Sequence, residues 1–184
     1  MNITITGHTN IEKAKGLELL TEHGTKYNKA AFDTVYEEIL LALHRFCKTN
    51  KLLFSDLTLI SGMARGVDEI FAILAIRNNL NLVLSIPNSI SWHKNRSLSR
   101  NMRAQAIYYE KILAYSKIIK IHEISKYYNN QTFPFANFAR NQNMVDIADA
   151  VFAYKMYDST GTDDCIKRAI KKGNFLGNIV PTPL

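Results

Sequence analysis

The sequence predicts an α/β fold, a mostly parallel sheet with helices on both faces in a three-layer sandwich. Two observations predict it. Short β-rich runs alternate with helical patterns along the whole chain, and short connections join them. That alternation is the signature of a parallel sheet covered on both sides. Clusters of Gly, Ser, Thr and Asp also fall where predicted strands give way to helices, the edge at which such sheets bind ligands.

Each element has its own reason. Residues 2–6 (Asn-Ile-Thr-Ile-Thr) alternate as a strand and end at Gly7-His8-Thr9. Residues 29–49 place Ala31, Val35, Ile39, Ala42, Leu43 and Phe46 at helical spacing. Residues 57–61 form a second strand, ending at Gly62. Residues 65–79 form a helix with Val67, Ile70, Phe71, Leu74 and Ala75 on its apolar face. Residues 81–86 form a third strand, closed by Pro87-Asn88. A helix over 99–115 and a short strand over 117–122 follow, then a polar aromatic loop with Tyr127, Tyr128, Asn129 and Asn130. Residues 136–148 are helical and 150–154 a strand. The last long helix, 161–173, stops at Gly173, and 177–180 form an edge strand ended by Pro181.

The chain has 184 residues, 47% hydrophobic and 21% charged, enough for one domain with a full core. No repeat, low-complexity tract or linker divides it, so 1–184 read as a single domain. No apolar run approaches the ~20 residues of a membrane helix. The opening Met-Asn-Ile-Thr-Ile-Thr has no basic signal-peptide region. Cys47 and Cys165 lie far apart and read as buried thiols of a reducing compartment. The expectation is a cytoplasmic protein with no membrane partner. The five histidines, His8, His23, His44, His93 and His122, lack the i, i+4 spacing of a helical metal site, so no metal is expected. No G-x-S-x-G elbow supports a serine hydrolase.

Three strand-end loops carry the candidate chemistry. The first is Thr6-Gly7-His8-Thr9, where His8 would contact a base, ribose or phosphate or else stand as an exposed loop histidine. The second runs Ser61-Gly62-Met63-Ala64-Arg65-Gly66-Val67-Asp68. Its glycines let the backbone approach a ligand, the following helix aims free N–H groups at an anion, and Arg65 adds a charge-assisted hydrogen bond. The third is Asp158-Ser159-Thr160-Gly161-Thr162-Asp163-Asp164. There Gly161 supplies a tight turn, and the Ser159, Thr160 and Thr162 hydroxyls donate to phosphate oxygens. Alternatively, the glycines are plain turn chemistry and Thr162 an N-cap. Neither Gly-rich loop is a Walker A or G-x-G-x-x-G motif. Arg140, at the start of the helix leading into 150–154, either offers its fork to a phosphate or carboxylate or lies on a solvated helix face.

The pattern resembles the SLOG superfamily, which includes the DNA-processing protein A (DprA) domain, the Lonely Guy phosphoribohydrolases and the YpsA-like proteins. The loop Ser61 to Asp68 is similar to the glycine loop of the DNA-processing branch. The remainder looks closer to YpsA-like proteins: the Ile5-Thr6-Gly7-His8 turn, Ile86-Pro87-Asn88 followed by Trp92, the Tyr109-to-Leu113 helix, Phe138…Arg140-Asn141…Met144-Val145-Asp146, Ala148-Asp149-Ala150, and Gly161-Thr162. The resemblance spans roughly 2–180. It implies a Rossmann-like fold and a pocket for a nucleotide or NAD-derived ligand on Gly7, His8, Ser61, Gly62, Met63, Ala64, Arg65, Gly66, Pro87, Arg140, Asn141, Ser159, Thr160, Gly161 and Thr162. The Lonely Guy motif Pro-Gly-Gly-x-Gly-Thr-x-x-Glu is not matched, since Cys165 stands where its Glu belongs and Asp164 one position earlier. Arg140 and Asp164 are the catalytic candidates should the chain be a hydrolase.

The formal net charge is +7, and residues 92–126 carry most of it. That segment holds Lys94, Arg96, Arg100, Arg103, Lys111, Lys117, Lys120 and Lys126 against Glu110 and Glu123, a net +6. Trp92, His93, Tyr108, Tyr109, Tyr127 and Tyr128 interleave with it, which suits stacking on bases; alternatively Tyr108 and Trp92 pack on the sheet while the lysines keep the surface soluble. In the second loop Arg65 is offset by Asp68. The basic segment reads as an electrostatic funnel beside the pocket mouth. Three functions follow: a sensor or processing protein for a small phosphorylated ligand, a single-stranded nucleic-acid-binding protein, or a phosphoribohydrolase-type enzyme. A homodimer is the expected assembly, as helix-face pairing is common in such folds.

Overall fold

The computed structural model describes residues 1–21, 24–100, 107–124 and 133–179. Its centre is a six-stranded, all-parallel sheet in the order β6-β5-β4-β1-β7-β8, a Rossmann-like α/β arrangement. The strands are β1 (Asn2–Gly7), β4 (Thr58–Ser61), β5 (Asn81–Ile86), β6 (Ile118–Glu123), β7 (Ala150–Tyr154) and β8 (Phe175–Asn178). A two-stranded hairpin, β2 (Leu20–Thr21) and β3 (Gly24–Thr25), stands apart. The helices are α1 (Ile11–Ala14), α2 (Lys29–Asn50), α3 (Val67–Arg77), α4 (Ile90–Arg100), α5 (Tyr109–Leu113), α6 (Phe133–Ile147) and α7 (Thr160–Lys172).

The period-two alternation of the strands sorts the core into two layers. Ile3, Ile5, Leu57, Leu59, Leu82, Leu84 and Ile86 pack with α2, α3 and α5. Ile60, Val83 and Val151 face the other way, onto Met144, Val145 and Ala148 of α6 and Cys165 and Ala169 of α7. Each fully buried aliphatic side chain contributes roughly 1.5–3 kcal/mol of transfer free energy. α3 is buried from Val67 to Ala75 without a gap, so both its apolar and its acidic residues lie inside. α7 buries only the stripe Thr162, Cys165, Ala169. α2 starts where the Asn28 side chain accepts from Ala31 N at 3.1 Å. α7 ends at Gly173, whose φ of +82° is the left-handed cap that favours glycine.

Strand order places the crevice. From β1 the chain builds outward through β4, β5 and β6, then returns to β1's other side for β7 and β8. The topological switch point is therefore between β1 and β7, at their carboxyl ends.

Several expectations shift. The helix expected over 99–115 is found only as Tyr109–Leu113 among the described residues, and α4 starts earlier, at Ile90. Ser89 caps α4, its Oγ accepting from Trp92 N at 3.1 Å. α1, the hairpin and a 3₁₀ turn at Phe54–Asp56 were not expected. β8 begins at Phe175 rather than 177. His23, Arg103, Lys126, Tyr127, Tyr128, Asn129, Asn130 and Pro181 lie outside the described residues, as do the side chains of Arg96 and Arg100.

Candidate functional site

The three strand-end loops converge at the carboxyl edge of the sheet, and His8 clasps them. Its carbonyl accepts from Val67 N at 3.1 Å, tying β1 to the second loop. Its Nε2 accepts from Met156 N at 2.8 Å and Tyr157 N at 3.2 Å, tying β1 to the loop after β7. The ring stacks on Tyr157 at 3.6 Å. It is turned inward and 1% exposed, so it is neither an exposed loop histidine nor open to a ligand's base. Accepting at Nε2 places the proton on Nδ1, which is buried without a partner. Burial, then the charge of Lys155, lowers the His8 pKa to about 4, so the ring is neutral at pH 7. Gly66 permits the close approach: its φ is +89°, and a Cβ there would lie 2.3 Å from the His8 carbonyl oxygen.

In the glycine loop the protein's own acids take the place expected for a bound anion. Asp68 accepts from Ala64 N, and Glu69 accepts from Gly66 N, Ile107 N and Tyr108 N, the last at 2.8 Å. Met63, at φ +58°, donates its N–H to Ser61 Oγ at 3.2 Å, and that hydroxyl donates to the Asp68 carbonyl at 2.7 Å. The positive end of α3 is thus met by carboxylates in its own first turn. Arg65 does not reach outward either. It is 5% exposed, and its Nη2 bonds Glu12 Oε1 at 2.6 Å. The partner of Arg65 is Glu12, not Asp68. Burial raises the Glu69 pKa to about 7 against the pull of those amides and of Arg65.

Asp68 pairs with Arg140 instead. Arg140 reaches from α6 across the sheet's edge, and its Nη1 donates to Gly62 O at 2.7 Å and Asp68 Oδ2 at 2.9 Å. Its side chain is 12% exposed, and its Nε is buried with no hydrogen-bond partner. Gly62 is required by this contact, because a Cβ would sit 2.3 Å from Nη1 and 2.5 Å from Oδ2. His93, buried on α4 with Nδ1 3.1 Å from Tyr109 Oη, lies within the field of Arg140. Burial and that charge lower its pKa to about 4. Pro87 is buried where β5 turns into α4.

The amino end of α7 is the open one. Ser159 is its N-cap but makes no side-chain cap bond, and the Thr162 hydroxyl donates to Ser159 Oγ at 3.2 Å. Among the described residues the amides of Thr160, Gly161 and Thr162 have no partner. Gly161 supplies no tight turn. It sits in the helix's first turn without a positive φ, and a Cβ there would meet open space. Asn141 pins this end to α6, donating to Gly161 O at 3.1 Å and Asp164 Oδ2 at 3.0 Å. A cavity of about 380 Å³ opens beside it, lined by Phe138, Thr160, Asp163, Asp164 and Lys167.

Arg140 and Asp164 are therefore not a pair: Asp164 is held by Asn141 and by Arg168 Nε at 2.8 Å. Cys165 is fully buried, bonded to Thr6, and burial pushes its thiol up to about 11. Two described lysines of the basic segment are engaged elsewhere in the chain. Lys94 pairs with Glu110, and Lys117 bonds Asn79 O at 2.8 Å, at the opposite edge of the sheet. Sequence reasoning missed Glu12 and Glu69 as members of the site, and read Asp68 only as the counter-charge of Arg65 and His93 only as a stacking aromatic. The first-turn acids Asp68 and Glu69 were the one readable signal.

Among the described residues no group of three or more His, Cys, Asp or Glu side chains could hold a metal. None of their helices is long and apolar enough to cross a membrane. No family model matches the chain, and no curated protein matches it. Among solved structures it is similar to DNA processing protein A (DprA) from Streptococcus pneumoniae, with a TM-score of 0.60 and 14% identity. The match covers 100% of this chain and 51% of DprA, so the chain spans about half of that protein's length. At this identity the likeness is one of fold: the chain has a DprA-like, Rossmann-like α/β architecture.

Proposed function

We propose that the crevice between α6 and α7 binds a small phosphorylated ligand, a nucleotide or nucleotide-derived molecule, and that the chain is a sensor or processing protein of the SLOG type, near the YpsA-like group. The observation that supports this reading is Arg140: a part-buried guanidinium, anchored through Nη1, whose buried Nε has no partner. At the amino end of α7 the amides of Thr160, Gly161 and Thr162 have no partner among the described residues, the arrangement that binds phosphate at helix amino ends. Ser159 and Thr162 supply hydroxyls. Asn141 holds the two helices in register, while His8, Ser61, Met63, Ala64, Arg65, Gly66 and Pro87 shape the floor.

Thermal-shift and calorimetric titration with AMP, ADP-ribose, NAD and cyclic nucleotides test it. Gly161→Asp places a carboxylate on the α7 amides where there is room for it. Binding should be lost while thermal stability holds or rises. No shift with any of these ligands at millimolar concentration refutes the proposal.

A second reading is single-stranded nucleic-acid binding. It is favoured by likeness of fold to a protein named for DNA processing and by the charge of +7. Oligonucleotide affinity that falls steeply with salt would support it. Phosphoribohydrolase chemistry is the least supported, since Cys165 is buried and Asp164 is tied to Arg168.

A further inference from the structure

We propose that the outer edge of β6 pairs antiparallel with the same edge of a second copy of the chain, across a two-fold axis near Ile121, joining the two sheets into one. β6 ends the sheet, and among the described residues no strand lies beyond it. β5 and β4 stand between it and β1, so this edge is separate from the crevice.

The backbone supplies the bonds. Ile124 N donates to Ile86 O at 3.0 Å, where Glu123 is the register partner of Ile86. In a parallel pair that partner residue turns its own N–H and C=O the other way, as does the residue two before it, so Glu123 and Ile121 present theirs at the open edge. The side chains supply apolar contact. Ile119 is 58% exposed and Ile121 37% exposed, whereas β5 beside them buries every residue after Asn81. Bare backbone groups next to exposed isoleucines make an edge that folded proteins cover. The charges set the direction. Lys117 precedes the strand and Glu123 ends it. Among the described residues neither has an oppositely charged partner: Lys117 bonds the Asn79 carbonyl, and Glu123 the Ile90 amide. Antiparallel pairing sets the basic end of each copy against the acidic end of the other, twice over by symmetry. Lys120 opposes it, because the axis brings that ammonium close to its own copy. One short strand from each copy buries little area, so the dimer belongs to the weak, concentration-dependent class.

Sedimentation velocity of the full chain from about 1 µM to about 1 mM tests the pairing. The wild type should pass from monomer to dimer across that range. Ile119→Lys and Ile121→Lys should each remain monomeric. Both side chains are already exposed, so Tm should stay within about 2 °C of wild type. Lys120→Ser removes the repulsion at the axis and should tighten the dimer about two- to fivefold. Glu123→Lys should weaken it, and Lys117→Glu combined with Glu123→Lys should restore it, a rescue that a merely structural role for either residue would not give. Paired strands lie about 4.8 Å apart, so a nitroxide on Lys120→Cys should show dipolar broadening from its copy that disappears on dilution with unlabelled protein. A wild type that stays monomeric, a dimer that survives both isoleucine variants, or no rescue by the double charge reversal each overturns the inference. A dimer without broadening at position 120 uses another face and overturns it as well.

Discussion

Two glycines that look alike in the sequence should behave oppositely when each is replaced by alanine. Gly62 ends β4 under the Arg140–Asp68 ion pair. A Cβ there would lie 2.3 Å from Arg140 Nη1, 2.5 Å from Asp68 Oδ2 and 2.9 Å from Arg140 Cζ. No real Cβ contact is that short, so the guanidinium must withdraw, leaving Asp68 buried and unpaired. Breaking a buried ion pair costs about 3–5 kcal/mol. At roughly 2–4 °C per kcal/mol for a chain of this size, Gly62→Ala should lower Tm by about 6–20 °C. Gly161 lies in the first turn of α7 with nothing within 4 Å of its Cβ position. There alanine removes only glycine's conformational cost and should stabilise by up to about 1 kcal/mol. Thermal denaturation followed by circular dichroism measures both. Repeating Gly62→Ala in an Asp68→Asn, Arg140→Gln background isolates the ion pair, because the penalty should shrink once no charge is stranded. A Gly62→Ala penalty below about 1 kcal/mol, or one unchanged in that background, refutes the packing argument.

Two further perturbations address the buried titratable groups. Glu69 has its pKa raised from 4.5 to about 7, so its contribution is fully present below pH 4.5 and is lost as pH rises through 7. The loss is at most about 3 kcal/mol. Wild-type Tm should fall between pH 6 and 8 while Glu69→Gln stays level, and parallel curves would count against this. His8 has the opposite sign: its pKa is lowered to about 4, so stability is lost as pH falls from 6.5 towards 4. His8→Ala removes the acceptor of Met156 N and Tyr157 N and should cost about 2–4 kcal/mol. Faster amide exchange should be confined to the loops it clasps, and unchanged exchange at 156 and 157 would show that the clasp does not hold them.

The strands were legible because alternation is a local signal. Residues 81–86 and 150–154 match β5 and β7 to the residue, since one-residue slips would turn Val83 or Val151 to the wrong layer. α4 escaped notice because the stretch from Ile90 is polar overall. Its start depends on the Ser89 hydroxyl and on Ile90 N donating to Glu123 at 2.7 Å, the latter a contact 33 residues away. The Arg65–Glu12 ion pair spans 53 residues and was likewise out of reach. Charge arithmetic within one loop therefore paired Arg65 with the wrong acid.

The glycine loop shows how a correct principle pointed to the wrong place. A helix amino end does need a negative partner, and both α3 and α7 were read as offering theirs to a ligand. In α3 the partner is already present in the chain. Successive helical residues point about 100° apart, so Asp68 turns to Arg140 and Glu69 turns to the amides of Ile107 and Tyr108. α7 has Asp163 in its first turn, where it pairs with Lys155 and accepts from Ser159 N at 3.4 Å, while Asp164 is held by Asn141 and Arg168. Its first three amides stay open. The two ends differ at their first amide: Val67 N of α3 is taken by the His8 carbonyl, whereas none of the first three amides of α7 has a partner among the described residues. That difference is made by a residue of the β1 end, far from the glycine loop in sequence.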